Sequence, residues 1–122
     1  MKDFRQLKVW EKAHHLALGI YRVTVNFPRA ELYGLTSQMR RCSVSIASNI
    51  AEGCGRRGNA EFHRFLQMAM GSASELDYQL VLARDLNYLA DSEYRRCFSV
   101  LLEVQRMLSS LLQKVASERA VT

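Results

Sequence analysis

Apolar residues recur three and four positions apart along nearly the whole of this chain, in four segments separated by short breaks. No stretch alternates apolar with polar residues as a half-buried strand does, so the fold class is expected to be all-α. In the first segment Trp10, Ala13, Leu16, Ala17, Ile20, Tyr21, Thr24 and Phe27 form one stripe, with Lys8, Lys12, His15 and Arg22 opposite. Pro28, the only proline, should end it, because the residue before a proline is pushed out of the α region. The second segment spaces Leu35, Met39, Cys42, Ile46 and Asn49 as a heptad seam and is expected to stop at Gly53 and Gly55. The third carries Phe62, Phe65, Leu66, Ala69, Ala73, Leu76, Leu80, Ala83 and Leu86, with Glu61 near its positive end and Asn87 fitted to a left-handed C-cap. Asp91 is expected to cap a fourth segment with the stripe Tyr94, Phe98, Leu101, Val104, Leu108, Leu111, Leu112 and Val115.

The helices are therefore expected at about 8–27, 33–53, 59–86 and 92–118, in one domain spanning residues 1–122. Connections this short make successive helices antiparallel neighbours, so an up-down-up-down four-helix bundle is the expected architecture. Two stretches do not suit a lone bundle. Residues 42–51 run for ten positions without a formal charge, and residues 66–74 are likewise uncharged and rich in alanine, glycine and serine. A helix on the outside of a monomer keeps one charged face. These stretches are expected to lie side by side and to bury their surplus surface in a closed homo-oligomer. Ser45, Ser48, Asn49, Glu52, Ser72 and Glu75 are the polar residues assigned to the core or to that subunit interface. Asn49 is read as a register-fixing contact across to Ser72, Ser74, Glu75 or Tyr78.

Several chemistries lack their residues. His14 and His15 are adjacent and point about 100° apart on a helix, and Glu11 with His15 supplies only two ligands, so no metal is expected. Cys42, Cys54 and Cys97 are odd in number and widely spaced, which suits free thiols better than disulfides or zinc. Residues 53–58 hold glycines and two arginines but lack the lysine, hydroxyl and preceding strand of a P-loop. No enzyme and no cofactor are expected. No apolar run reaches the roughly 20 residues of a membrane span, and no signal-peptide core follows residues 1–5, so a cytoplasmic location is expected.

The net charge is +5, from thirteen arginines and four lysines against twelve acids, and guanidinium binds phosphate bidentately. Antiparallel packing would bring Lys2, Arg5, Lys8 and Lys12 to the same end as Arg56, Arg57, Arg64, Lys114 and Arg119, with five acids among these nine cations. Arg56, Arg57 and Arg64 are the first candidates for phosphate contact, with Lys8 and Lys12 beside them. Arg40 and Arg41 come second, because one of them could instead pair with an acid across the subunit interface.

Phe4 and the stretches Leu-Lys-Val-Trp-Glu-Lys-Ala at 7–13, Phe27-Pro28, Glu-Leu-Tyr-Gly-Leu-Thr-Ser-Gln-Met-Arg-Arg at 31–41, Ser45-Ile46, Asn-Ile-Ala-Glu-Gly at 49–53, Glu61-Phe62, Gly71-Ser72 and Glu75-Leu76 carry a likeness that extends over nearly the whole chain. In these it resembles the four-helix bundle proteins of the 23S rRNA intervening-sequence family, whose relatives include the accessory subunit of diversity-generating retroelements. The resemblance implies a homopentameric ring and, for some members, a role with structured RNA or a reverse transcriptase. Ala47 stands where relatives commonly have proline, which leaves a bend in the second helix open. The expected function is a non-enzymatic oligomeric scaffold that binds structured nucleic acid. The alternative is a protein-interaction adaptor, such as an accessory subunit of a reverse transcriptase, without direct nucleic-acid contact. A bundle pocket for a small hydrophobic ligand ranks last, for want of a dedicated polar anchor.

Overall fold

The computed structural model describes residues 2–121, with side chains through Glu118. Four helices carry the chain: α1 (Lys8–Thr24), α2 (Leu35–Cys54), α3 (Asn59–Asp85) and α4 (Asp91–Val121). One-turn 3-10 helices at Phe4–Gln6 and Arg29–Glu31 precede α1 and α2, and no strand occurs among the described residues. Each helix packs on two others, α1 on α2 and α4, α3 on α2 and α4. Their buried stripes meet in one core whose centre is Leu16, Ile20, Met39, Ile46, Ile50, Leu66, Leu76, Leu80, Leu101 and Leu108.

The ends of the helices differ from expectation in ways the local bonds explain. Helix α1 stops at Thr24 and does not reach Phe27, because the Phe27 N–H turns back to the Thr24 carbonyl and Pro28 continues in an extended conformation. α2 starts at Leu35, whose N–H is capped by the Glu31 carboxylate at 3.1 Å. It runs through Gly53 to Cys54, so Gly53 is not a stop. A Cβ at Gly53 would stand 2.9 Å from the Phe65 Cβ and 3.1 Å from the Phe62 ring, so this glycine lets α2 and α3 approach closely. Ala47 lies inside the same uninterrupted helix.

α3 ends as expected. Asn87 has φ 64°, its N–H bonds to the Arg84 carbonyl, and the Tyr88 N–H reaches back to the Ala83 carbonyl, a complete Schellman closure. Tyr88 then packs on Phe27 and donates its hydroxyl to Glu31 at 3.0 Å, tying this turn to the start of α2. That bond and burial raise the Tyr88 pKa above the ordinary phenol value. Asp91 is not the cap of α4. It occupies the first helical position, while Ala90 supplies the cap carbonyl and Glu93 accepts from the Ala90 N–H.

The stripes shift by a residue where the pattern was ambiguous. Val9 and Val23 are buried in α1, whereas Tyr21 is 45 % exposed. In α2 the inner position belongs to Ile50, not Asn49, which is half-buried. In α3 Leu86 is exposed and Gln79 is buried in its stead.

Candidate functional site

The two uncharged stretches do lie side by side: Ser45 on α2 and Ser72 on α3 share a hydrogen bond of 2.9 Å. Asn49 makes no bond to α3. Its amide donates to the Ser45 carbonyl and hydroxyl on its own helix, at 2.9 and 3.0 Å, because its place one turn after Ser45 aims it along α2. The cross-helix contact assigned to Asn49 therefore belongs to Ser45, with Asn49 holding that hydroxyl in place.

Outward from this contact, α2 and α3 expose a neutral surface. Val44 is 41 % and Met68 45 % exposed, and Ser48, Gly71 and Ser74 are also open. Between the helices a polar notch of about 280 Å³ is lined by Gln38, Arg41, Cys42, Ser45, Ser72 and Glu75. Arg41 is exposed and has no ion-pair partner among the described residues. Glu75, exposed on the opposite wall, accepts from Gln79 at 3.2 Å. Gln79 is 4 % exposed and its Oε1 has no donor. An unsatisfied amide oxygen in the interior is costly, on the order of 1–3 kcal/mol. Nothing in the period of the sequence marked Gln79, since a glutamine in an apolar stripe reads as its edge.

Burial pushes the Cys42 thiol up to about 12, and the neighbouring Glu75 carboxylate adds to the shift through a hydrogen bond and its charge. Burial also raises Cys54 and Cys97. All three are free thiols. Since the thiolate is the reacting form, Cys42 in the folded protein should react with a disulfide reagent at pH 8 roughly a thousandfold more slowly than free cysteine. Stopped-flow absorbance before and after guanidinium unfolding checks this, and a fast native phase from Cys42 would refute it.

A second cluster sits where α2 turns into α3. The Arg56 and Arg64 guanidinium groups both lie over the Phe65 ring, at 5.1 and 4.6 Å, and the Lys2 ammonium lies 4.6 Å from the centre of Phe62. Arg57 stands exposed on the turn between them. Two carboxylates temper this tip: Glu52 holds Arg56 at 2.8 Å and Glu61 holds Arg64 at 3.0 Å. The Arg64 hydrogen bond, with the charges of Arg64 and Arg56, keeps the Glu61 carboxyl below the usual carboxylate range, and the same bond raises Arg64. Four cations against two acids leave the tip basic. Exposed ion pairs are worth no more than about 1 kcal/mol, so these arginines can exchange partners.

The other candidates lie elsewhere. Arg40 is committed within the chain: its Nε donates to the Thr24 hydroxyl at 2.8 Å and its guanidinium covers Tyr21 at 4.8 Å, locking α2 to α1. Lys12 bridges to Glu103 on α4 at 3.1 Å, and Lys8 faces a groove between α1 and α4. Lys114 lines that same groove, and Asn59 meets Glu118 at 3.4 Å, which links the start of α3 to the end of α4. The side chain of Arg119 lies outside the described residues. No cluster of three histidine, cysteine or acidic side chains arranged for a metal occurs among the described residues. Among the described residues, no helix is long and apolar enough to cross a membrane.

Among solved structures, a protein with unknown function from the S23 ribosomal protein family of Bacteroides thetaiotaomicron VPI-5482 superposes with a TM-score of 0.77. It is 26 % identical, and the match covers 85 % of this chain and 97 % of that one. No curated protein matches. The family model for 23S rRNA-intervening sequence proteins matches residues 5–110, which span α1, α2, α3 and with them the neutral face, the polar notch and the three arginines of the basic tip. The four helices, with no strand among the described residues, agree with that match, and the protein belongs to the 23S rRNA-intervening sequence protein family.

Proposed function

We propose that the protein is a non-enzymatic, cytoplasmic scaffold that closes into a homo-oligomeric ring, the α2/α3 face of each copy meeting a different face of the next, and presents its basic tips to structured RNA. Five copies is the number the family resemblance implies. The subunit is an antiparallel up-down-up-down bundle, a reading supported by contacts that join the start of α1 to the end of α2 (Lys2 N–H to the Cys54 carbonyl) and the start of α3 to the end of α4. One observation carries the assembly: a neutral surface with Val44 and Met68 wet, beside an exposed Arg41 that has no ion-pair partner among the described residues. A second copy would cover Val44 and Met68 and offer Arg41 a partner, and symmetric closure is the usual way such a patch is buried. Light scattering at micromolar concentration tests it. A mass of 14.0 kDa, that of one chain, would overturn the reading.

RNA contact rests on the tip formed by Lys2, Arg56, Arg57 and Arg64. Repetition around an axis would multiply this modest charge along a polyanion. Binding of a structured RNA, followed by anisotropy at rising salt, should weaken along a line in log–log form. Arg56→Ala, Arg57→Ala and Arg64→Ala together should flatten that line by about three per subunit engaged. Because Arg56 and Arg64 already hold carboxylates, the adaptor reading has its own support, a surface for a protein partner with no nucleic-acid contact. Affinity no better than that of an unrelated protein of similar charge, or no response to salt, would decide for the adaptor.

A further inference from the structure

We propose that the groove between the start of α1 and the last turns of α4 is a docking site for an acidic amphipathic helix of a partner protein. This goes beyond the ring and the basic tip, and uses neither the α2/α3 face nor the arginines of the tip.

The groove has a volume of about 440 Å³ and is lined by Leu7, Lys8, Val9, Arg106, Met107, Ser110, Leu111 and Lys114. Its floor is apolar: Val9 is buried, while Leu7, Met107 and Leu111 pack against the core with one side left open. Its rim is cationic. Lys8, Arg106 and Lys114 are all exposed, and no acid stands among the described lining residues. On α4, Glu103 bridges to Lys12 at 3.1 Å and Glu118 meets Asn59 at 3.4 Å. Glu11, one turn along α1 from Lys8, is the nearest acid on that side. Arg106, Ser110 and Lys114 follow one another at four-residue spacing, so the rim runs along the helix axis.

Charge and shape together select the occupant. It must bring apolar side chains to a linear floor and carboxylates to both edges, which is the pattern of a helix with leucines three and four residues apart flanked by glutamates. A small anion would leave the floor wet. Nucleic acid would satisfy the rim but offers bases for stacking, and the floor holds no aromatic ring to receive them. Met107, unbranched and polarizable, suits a surface that moulds to a partner's side chains.

The probe is a synthetic peptide of about 14 residues with leucines at helical spacing flanked by glutamates, fluorescein-labelled and titrated with the full-length protein. A contact this small should bind with a dissociation constant on the order of 10–100 µM. Arg106→Glu with Lys114→Glu, both on exposed positions, should weaken it at least about tenfold while leaving the melting temperature in place. The Met107 methyl resonance should shift on binding in the unaltered protein. A control peptide with serine for leucine should fail to bind. Equal binding by wild type and the double variant, no saturable binding, or a Met107 shift produced by structured RNA or anionic vesicles but not by the peptide would each overturn the proposal.

Discussion

Replacing Gly53 with valine should lower the melting temperature by about 10–20 °C, corresponding to a loss of roughly 3–4 kcal/mol from a total of about 5–15. Gly53 is buried where α2 and α3 pack most closely, and an added Cβ would come within 2.9 Å of the Phe65 Cβ. That atom is anchored to the α3 backbone and cannot swing aside. The two methyl groups of valine would press further into Phe62 and Phe65, which are 2 % and 6 % exposed. Gly53→Ala separates the terms: the same Cβ clash is offset by about 1 kcal/mol of helix propensity, so its net cost should be about 1 kcal/mol or less. Calorimetry of both variants checks the ordering. A valine variant as stable as wild type would mean that the two helices can part without loss.

Placing glutamate at both Val44 and Met68 should convert the assembly to single chains of 14.0 kDa at about 10 µM, with the fold intact. Both side chains are already 41–45 % exposed in one chain, so within it the substitutions should cost no more than about 0.5 kcal/mol each. Across a copy-to-copy contact the same carboxylates would be buried without partners, a penalty of several kcal/mol per ion that a symmetric ring repeats at every interface. Light scattering with circular dichroism reads both halves of the result. A double variant that keeps the wild-type mass would place any subunit contact away from α2 and α3.

Periodicity alone located the four helices to within a few residues, because a stripe of Leu16, Ile20 and Leu101 type positions is a direct image of 3.6 residues per turn. The Asn87 closure was legible for a similarly local reason: an asparagine tolerates positive φ, and a tyrosine two residues past a helix end can fold back. The side-by-side placement of residues 42–51 and 66–74 was legible from their missing charge. What periodicity could not resolve was the role of individual polar groups. Asn49 and Ile50 both fit the inner face of α2, and only the packing of the helices around it put Ile50 inside and left Asn49 to support Ser45. Glu31 was invisible as a junction, since its two bonds reach Leu35 nearby and Tyr88 far along the chain.

The amino-acid order by itself determined that this protein is helical, where its helices turn, and that a neutral band spans its second and third helices, all properties set by neighbours a few residues apart. Only the tertiary structure decided which arginines are already occupied. Arg40 and Arg41 are adjacent and chemically identical, yet a turn of about 100° sends one to Thr24 and Tyr21 on α1 and leaves the other at the polar notch. The same applies to the tip, where Arg56 and Arg64 share the Phe65 ring. Local order sets a residue's helix and its rough face; what it meets there depends on the crossing of elements that the chain brings together from tens of residues away.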